Sequence, residues 1–330
     1  MTRVTLADVA ARVGVSAKSV SNVVNGTGWV GEAMKQRILD AIDELGYRPN
    51  LAARQLRSGR SGLIALVLPD LREPYFAEFA SQFVSIAQTR GITVLIAQSN
   101  GDRDTELQMM AGEGFPAVDG IVMSPLMLTP ADIAGRRTTP PLVLIGEEAE
   151  TLVGPNAHHV GIDNVSAAAA ATAHLLQLGR TRIGAVGVQE SGATATSRLR
   201  FSGYRRALAA AGIDTNPALF GTVEHFNRAW GSNAVERLLD RGVEFDALFC
   251  FSDSLALGAL YTLGSRGISV PDEVVVMGFD DIEEGRFHIP TFSTVDHGVE
   301  RASWAILDIL GVASTPPGAH HEVPHRLILR

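Results

Sequence analysis

The chain of 330 residues contains a single cysteine, Cys250, which cannot form an internal disulfide or supply a multi-thiolate zinc site. No apolar run approaches the roughly 18 residues of a membrane span, because the alanine run Ala167–Ala171 soon meets polar residues. Arg3 and Asp8 near the N-terminus have no apolar run behind them, which argues against a secretory leader. These absences predict a cytoplasmic protein in a reducing compartment.

Enzymatic signatures are also missing: the sequence has no G-x-x-x-x-G-K-[ST] phosphate loop, H-E-x-x-H zinc helix or G-x-S-x-G nucleophile elbow. One G-x-G-x-x-G match, at 26–31, links two helical patterns instead of following a strand, so we reject it as a dinucleotide site. His320, His321 and His325 crowd together without a supporting thiol or carboxylate arrangement, and a polar surface tail is preferred to a metal site. We therefore expect no enzymatic activity, no metal and no cofactor.

Charge is unevenly distributed, although the formal net charge of the whole chain is −8. Residues 1–60 carry nine basic and five acidic side chains, an excess of four positive charges. The remaining residues carry 19 basic and 31 acidic side chains, an excess of twelve negative charges. Such a change of sign indicates a basic module attached to an acidic body, although chance clustering on a solvated surface would give the same count.

The basic segment has a helical pattern with no strand-like run. Thr5 and Asp8 form a capping-box pattern at the start of a helix over Leu6–Val13. After a tight turn, Ser16 can cap a second helix through Val24, and a third helix is expected over Glu32–Leu45 behind Gly31. A helix, a short turn and a second helix form the geometry that places the second helix in the major groove of DNA.

The second helix carries groups that could read DNA. Its inward positions are Val20, Val23 and Val24, so the outward positions are Ala17, Lys18, Ser21 and Asn22. Lysine can donate to guanine, asparagine can pair with adenine and alanine can contact a thymine methyl group. Ser16, Ser19 and the helix N-terminus are suited to phosphate contacts. A plain three-helix bundle with an exposed polar face remains the alternative.

The stretch that follows the third helix argues against a plain three-helix bundle. The stretch 51–57 places a leucine, Leu56, among arginines and ends in a Gly- and Ser-rich tail. A helix this short is unstable alone in water and needs a partner. A leucine beside arginines suits insertion into a minor groove, which it would kink.

After residue 61 short β runs alternate with amphipathic helices, such as the strand Leu63–Leu68, the helix Tyr75–Thr89 and the later helix Arg200–Ala211. This alternation predicts βαβ units with parallel sheets covered on both faces. Two runs of such units predict two similar lobes with a ligand cleft between them, at the carboxyl ends of the strands.

The run TLADVAARVGVSAKSVSNVVNG, followed by ELGYRPNLAARQLRSGRSGLIALVLPD, resembles the LacI/GalR family of transcriptional regulators. The similarity continues through PYFAEF, SNGDRDTE, VGIDN, SRLRFSGY, SDSLALGAL and GFDD, and so covers almost the whole chain. The resemblance implies an α/β protein with an N-terminal all-α helix-turn-helix headpiece (1–49), a hinge helix and linker (50–61), and a two-lobed periplasmic-binding-protein-like body (62–330) that binds an effector and dimerises. We expect lobe one over about 62–160 and 292–318, and lobe two over about 161–291 and 319–330.

The resemblance assigns DNA contacts to the headpiece and hinge. Ala17, Lys18 and Asn22 match positions that read the major groove, and Leu56 matches the leucine that enters the minor groove, with Ala53 beside it. Asn22 departs from the arginine that many members carry, which leaves the preferred operator open. The full expected set is Thr5, Ser16, Ala17, Lys18, Ser19, Ser21, Asn22, Asn25, Tyr47, Asn50, Ala53, Arg54, Leu56 and Arg57.

The resemblance also implies an effector site. Aromatic faces would pack on a sugar ring, while arginine and aspartate would fix hydroxyl groups. Each aromatic could instead be a core residue, Arg200 and Asp280 could pair structurally, and Asp253 is expected to cap the helix that follows. The expected effector contacts are Tyr75, Phe76, Asp163, Arg200, Phe226, Ser252 and Asp280.

The resulting prediction is a sequence-specific repressor that acts as a homodimer on double-stranded operator DNA under the control of a small ligand. A sugar or polyol is the expected ligand, and a nucleobase or nucleoside is the second choice. No heptad segment follows the expected last strand, Val323–Leu329, so a tail-mediated tetramer is not expected. A sugar-binding transport or sensor protein would lack the headpiece. The acidic pairs Asp280-Asp281 and Glu283-Glu284 permit an enzyme acting on sugars, but neighbouring carboxylates on a loop are usually solvated.

Overall fold

The computed structural model describes residues 4–48, 60–136, 140–146, 154, 157–311 and 318–330. The chain forms two compact units, residues 1–61 and 62–330. The predicted hinge helix lies outside the described residues, and with it lie five of the predicted DNA contacts: Asn50, Ala53, Arg54, Leu56 and Arg57.

Three helices run through the described part of the N-terminal unit: α1 Leu6–Val13, α2 Ala17–Asn25 and α3 Glu32–Leu45. Their apolar faces meet in a small core, which burial of apolar surface stabilises. The buried members of this core are Val9, Ala10, Val13, Val20, Ile38, Ala41 and Tyr47.

The ends of these helices confirm the capping predictions. The Thr5 N–H donates to the Asp8 carboxylate at 2.8 Å, and the Asp8 N–H donates back to Thr5 Oγ1 at 3.4 Å. Ser16 Oγ accepts from the Ser19 N–H at 3.1 Å at the start of α2. These bonds satisfy backbone donors that a helix start leaves unpaired, so they fix where α1 and α2 begin.

The first lobe of the body is built on a six-stranded sheet. Its strands are β1 Leu63–Leu68, β2 Thr93–Gln98, β3 Gly120–Met123, β4 Leu142–Ile145, β5 His158–Gly161 and β11 His320–Glu322. They pair in parallel in the order β11-β5-β4-β3-β1-β2. Among the described residues, the helices of this lobe are α4 Pro74–Thr89, α5 Arg103–Met110, α6 Pro130–Gly135 and α12 Val299–Gly311.

The second lobe has a four-stranded parallel sheet in the order β7-β6-β8-β9. Its strands are β6 Ile183–Val188, β7 Phe220–Thr222, β8 Ala247–Cys250 and β9 Val275–Met277. Its helices are α7 Asn164–Gln177, α8 Ala195–Ala210, α9 Arg228–Asp240, α10 Asp253–Ser265 and α11 Glu283–Phe287, with a 3₁₀ turn at Pro217–Leu219. An antiparallel pair, β10 Thr294–Asp296 with β12 Arg326–Ile328, completes the body.

Strand pairing corrects the expected lobe boundaries. Residues 320–322 pair with β5 in the first lobe, whereas we expected this segment in the second. Ser293 forms a bridge with Met277, and the Asp280 N–H donates to Val295 at 2.9 Å, so residues 293–295 lie on the second lobe. The expected strand Val323–Leu329 is also wrong, because only 326–328 form a strand there. The sequence His-His-Glu of β11 has no apolar alternation, so no period-2 signal marks it as a strand.

Helices α9 and α10 cross at two glycines. A Cβ atom at Gly258 would lie 2.0 Å from the Arg228 carbonyl oxygen and 2.7 Å from the Ser232 nitrogen. A Cβ atom at Gly231 would lie 2.3 Å from the Leu255 carbonyl oxygen. Both backbones would have to move apart to admit a methyl group, so the glycines set the distance between these helices.

We therefore expect Gly258→Ala to reduce the free energy of unfolding by about 3 kcal/mol, because the added methyl overpacks a backbone contact. Gly264→Ala on the same helix is the matched control, because a Cβ atom there would have open space within 4 Å among the described residues. The control should be neutral or slightly stabilising, since alanine favours helix over glycine. Thermal and urea unfolding of both variants measure the difference. Equal stability of the two variants would show that α9 and α10 can move apart at this crossing without loss of stability.

Candidate functional site

The N-terminal end of α2 is the exposed polar end of the headpiece. Ser16, Ala17 and Lys18 are exposed, and Asn22 is half-buried one turn further along. Ser19 is half-buried, and its hydroxyl lies 3.0 Å from the Ser16 hydroxyl. A helix N-terminus with exposed hydroxyls and a lysine provides donors for phosphate oxygens and base edges.

Two predicted DNA contacts are buried instead. Ser21 is only 9% exposed and Tyr47 only 8% exposed. Ser21 lies about 100° round the helix from Val20, at the edge of the stripe that packs into the core, so the outward placement of Ser21 is wrong. Thr5 is exposed at the start of α1, and Asn25 ends α2. Trp29, which no sequence motif singled out, is 91% exposed in the loop before α3.

A cleft of about 440 Å³ lies between the two lobes of the body. Both lobes contribute aromatic and polar side chains to its walls. Six of the seven predicted effector contacts line it: Tyr75, Phe76, Arg200, Phe226, Ser252 and Asp280. They meet because the strands of each sheet are parallel, so the loops after those strands gather at one edge.

Asp163 is not among the residues that line the cleft. Its carboxylate accepts from the Ser166 N–H at 2.9 Å, and these bonds with Ser166 hold the pKa of Asp163 low despite its partial burial. The next residue, Asn164, lines the cleft instead. The capping role of Asp163 turns its carboxylate toward its own helix, which corrects its expected place in the site.

Arg200 is the most enclosed charge of the cleft, with its side chain 3% exposed. Its Nε donates to Asn164 Oδ1 at 2.9 Å, and its Nη1 donates to the Phe251 carbonyl oxygen. The same Nη1 lies 3.4 Å from Asp280 Oδ1, and the guanidinium stacks 3.6 Å from the Phe279 ring centre. A buried guanidinium needs this many partners to compensate for lost hydration.

His297 completes the network, although no sequence motif marked it. Its Nε2 lies 3.0 Å from Asp280 Oδ1, and its ring centre lies 4.9 Å from that of Tyr75. Asp280 has a φ of 122°, an uncommon value for a residue other than glycine. His297 follows β10, where the chain returns from the second lobe to the first. It therefore links Tyr75 of one lobe to Asp280 of the other.

The apolar wall comes from both lobes. Tyr75 and Phe76 lie at the start of α4, with ring centres 5.2 Å apart in an edge-on arrangement. Pro74 occupies the first turn, where proline is compatible with a helix, so the two rings emerge just beyond the end of β1. Phe226 of the second lobe precedes Asn227, whose side chain caps α9. Such rings can pack on the apolar face of a sugar.

Ser252 lies at the cleft as expected, but it also takes the capping role that was expected of Asp253. Ser252 Oγ accepts from the Leu255 N–H at 3.2 Å and so caps α10, as well as lining the cleft. Asp253 is fully buried and accepts from Thr294 Oγ1 at 2.6 Å and from the Ile282 N–H at 3.0 Å. Burial raises the pKa of Asp253 well above its usual range, and the charge of Asp280 raises it further.

Two further glutamates connect the lobes. Glu73 accepts from Ser254 Oγ at 3.0 Å, and Glu78 accepts from the Glu283 N–H at 3.0 Å. Both glutamates belong to the first lobe, while their donors belong to the second. Burial raises the pKa of each carboxyl. These bonds hold the lobes together at the rim of the cleft.

The acidic pairs that suggested an enzyme are mostly held in ion pairs. Asp281 pairs with Arg286 at 2.8 Å and also with Arg330. Glu284 pairs with Arg228. Carboxylates engaged in this way serve as structural anchors and are poorly placed for proton transfer.

Two of the three C-terminal histidines are part of a sheet instead of a tail, and His325 lies between β11 and β12. His320 and His321 belong to β11, and His320 Nδ1 lies 3.0 Å from His159 Nδ1. Burial lowers the pKa of His159 to about 4, so it is neutral at pH 7. Within the described ranges, no three His, Cys, Asp or Glu side chains group into a metal site, and no helix is long and apolar enough to cross a membrane.

We expect the contribution of Asp253 to the free energy of unfolding to decrease as pH rises above about 4, because folded Asp253 holds its proton more tightly than the unfolded chain does. Asp253→Asn cannot titrate and should be more stable than the native chain near pH 8, by about 2 kcal/mol. Urea unfolding between pH 5 and pH 8 measures both slopes. The exposed Asp214→Asn is the control. Parallel slopes for Asp253→Asn and the native chain would mean that Asp253 is ionised in the fold.

Two family models match this chain. The model for bacterial regulatory proteins of the lacI family matches residues 5–50, and that for a periplasmic binding protein-like domain matches residues 172–330. These matches confirm the predicted fold class, a helical headpiece followed by an α/β body with parallel sheets.

The relatives agree with the family matches. The HTH-type transcriptional regulator AscG of Escherichia coli K12 is 33% identical over 88% of this chain and 86% of AscG. A LacI-family structure from Sanguibacter keddieii is 37% identical, with a TM-score of 0.74 over 82% of this chain and 98% of that chain. The transcriptional regulator CelR in a cellobiose complex is 29% identical, with a TM-score of 0.67 over 99% of both chains. The chain therefore belongs to the LacI/GalR family of DNA-binding transcriptional regulators.

Proposed function

We propose that this regulator is a repressor that binds a near-palindromic operator as a homodimer and is controlled by a sugar or polyol in the interlobe cleft. The observation that carries the proposal is the cleft itself, where aromatic rings of both lobes face the network of Arg200, Asp280 and His297. A polyol offers both an apolar ring face and directional hydroxyls, and this arrangement suits both.

The DNA-binding part of the proposal is supported by charge and exposure. The N-terminal segment carries the positive excess, and the exposed end of α2 presents Ser16, Ala17 and Lys18. Attraction to phosphates would come from the headpiece, while the acidic body would suppress indiscriminate binding. The roles of Leu56 and its neighbours in the hinge, 50–61, remain predictions of the same proposal.

Ligand binding in the cleft would change the affinity for the operator by changing the arrangement of the two lobes. A ligand that bridges Tyr75 of the first lobe and Phe226 of the second changes the free energy of the closed arrangement. That arrangement would set the spacing of the two hinge segments in a dimer and hence the affinity for the operator. CelR, at 29% identity, forms a complex with cellobiose, which supports a sugar over a nucleobase here.

The headpiece assignment predicts that Lys18→Ala weakens specific operator binding by about 10- to 100-fold, because Lys18 is placed to contact base edges or phosphates. An operator obtained by repeated selection from random DNA provides the probe for fluorescence anisotropy. Lys35→Ala is the matched control, because Lys35 lies on α3 and its ammonium is 3.4 Å from Glu32. Equal losses in the two variants would contradict the placement of α2 at the DNA.

The cleft assignment predicts that Phe226→Ala reduces the affinity for one sugar, the one that gives the largest shift in a thermal-shift panel, by about tenfold. This loss corresponds to about 1.4 kcal/mol of packing between the sugar and the Phe226 ring. Phe226→Tyr keeps an aromatic face and should retain most of the affinity. Calorimetry with cellobiose, maltose, galactose, ribose, adenine and guanosine covers both ligand classes. Unchanged affinity in Phe226→Ala, or a purine as the tightest ligand, would refute this part of the proposal.

A further inference from the structure

The charges of the cleft are mostly negative. The lining includes four carboxylates, Asp70, Glu73, Glu224 and Asp280, but only two guanidinium groups, Arg72 and Arg200, among the described residues. An anionic ligand would need a cation that is not already neutralised, because a charge taken out of water without a partner is strongly disfavoured. The partners of the two arginines therefore decide what charge the cleft can accept.

Both arginines are engaged with protein groups. Arg200 is paired with Asp280, and its other donors point to Asn164, the Phe251 carbonyl oxygen and His297. Arg72 holds Asp70 through two nitrogens, with Nη2 to Oδ2 at 2.8 Å and Nε to Oδ1 at 3.1 Å. At the buried Arg200 a phosphate group would have to displace Asp280 before it could bind, whereas Arg72 is exposed to solvent and its charge is already offset by Asp70.

Helix N-termini offer another route to anion binding, since their N–H groups attract negative charge. Four helices that start near the cleft already have a side-chain oxygen on these donors. The capping residues are Asp163, Thr194, Asn227 and Ser252. A fifth helix, α4, has Glu73 at its N-cap position. These starts are therefore poor phosphate sites.

Glu73 and Glu224 add negative charge to the cleft and so disfavour an anionic ligand. Glu73 is half-buried, and its carboxylate accepts a bond from Ser254 at 3.0 Å. Glu224 is exposed beside Gln189, whose Nε2 donates to the Glu224 carbonyl oxygen at 2.8 Å. Carboxylates accept hydrogen bonds from sugar hydroxyls but repel phosphate oxygens.

The cleft is also long. Polar side chains lie at two places along the cleft: Gln189 and Thr194 follow β6, whereas Asp280 follows β9. β8 lies between β6 and β9, so the two groups are about 10 Å apart at the usual strand spacing. The cleft volume is about 440 Å³. The separation of these two groups leaves room for a ligand longer than a single sugar ring.

We propose that the cleft selects an uncharged glycoside of two linked rings and rejects phosphorylated sugars. One ring would lie against Tyr75 and Phe76 beside Asp280, and the second would lie toward Phe226, Gln189 and Glu224. This inference rests on the proposed function and specifies the class of effector.

Calorimetry on the full-length chain tests the inference with four kinds of probe: neutral disaccharides (cellobiose, maltose, lactose, trehalose, sucrose), their 6-phosphates, glucose and glucose 6-phosphate. At least one neutral disaccharide should bind at least tenfold tighter than glucose and at least tenfold tighter than its own phosphate ester. A phosphate ester or glucose that matches the best disaccharide would overturn the inference and leave the sugar-controlled repressor intact. Binding of no sugar at all would overturn both the inference and the sugar part of the proposed function.

A charge-removing variant separates electrostatics from size. The double substitution Glu73→Gln and Glu224→Gln should reduce the ratio of disaccharide to phosphate-ester affinity at least fivefold. Glu113→Gln, on an exposed residue outside the cleft, should leave the ratio unchanged. Circular dichroism confirms that each variant folds. An unchanged ratio in a folded double variant would overturn the role of the carboxylates.

Discussion

The buried guanidinium of Arg200 is the constraint on which the cleft depends. Once it is removed from water, it requires acceptors on every side, and a buried ion pair alone seldom repays the loss of hydration. The acceptors come from separate parts of the second lobe: Asn164 at the start of α7, Phe251 after β8 and Asp280 after β9. The arginine thereby fixes three strand-end loops relative to one another. The need of the buried guanidinium for these acceptors therefore preorganises the surface that would contact a ligand.

The need of Arg200 for acceptors also involves the first lobe, because His297 contacts both Asp280 and Tyr75. Asp280 adopts its uncommon φ with its N–H bonded to Val295 and its carboxylate shared by Arg200 and His297. An uncommon backbone conformation persists only when its surroundings determine it fully. His297 then packs against Tyr75, so a ligand that moves Tyr75 also perturbs the acceptor that neutralises Arg200. This chain of contacts gives the two lobes a physical means of coupling.

The sequence predicted the parts that local rules determine. Thr5, Asp8 and Ser16 mark helix starts because capping requires those side chains at those spacings, and the buried parallel strands appear as short apolar runs. The apolar pattern predicts that α8 starts at Arg200, but the helix begins at Ala195 behind the cap Thr194. The pattern misses the first turn because its residues are mostly small or polar and give no apolar period. Whether Asp163 or Asn164 faces the cleft depends on a rotation that composition does not encode. His297 and β11 depend on contacts between distant segments, which no local signal reports.

The distribution of charge bears on both proposed binding functions, DNA binding by the headpiece and effector binding by the cleft. The negative excess lies outside the N-terminal sixty residues, so the same acidic body that would oppose contact with DNA also forms the walls of the cleft. Nucleic acid and phosphorylated metabolites are both anionic, and a body that repels one tends to repel the other unless it holds an uncompensated cation. Arg72 and Arg200 are compensated by Asp70 and Asp280. Under the proposed function, such a regulator would distinguish its two partners by charge, with phosphates directed to the headpiece and neutral hydroxyls to the cleft.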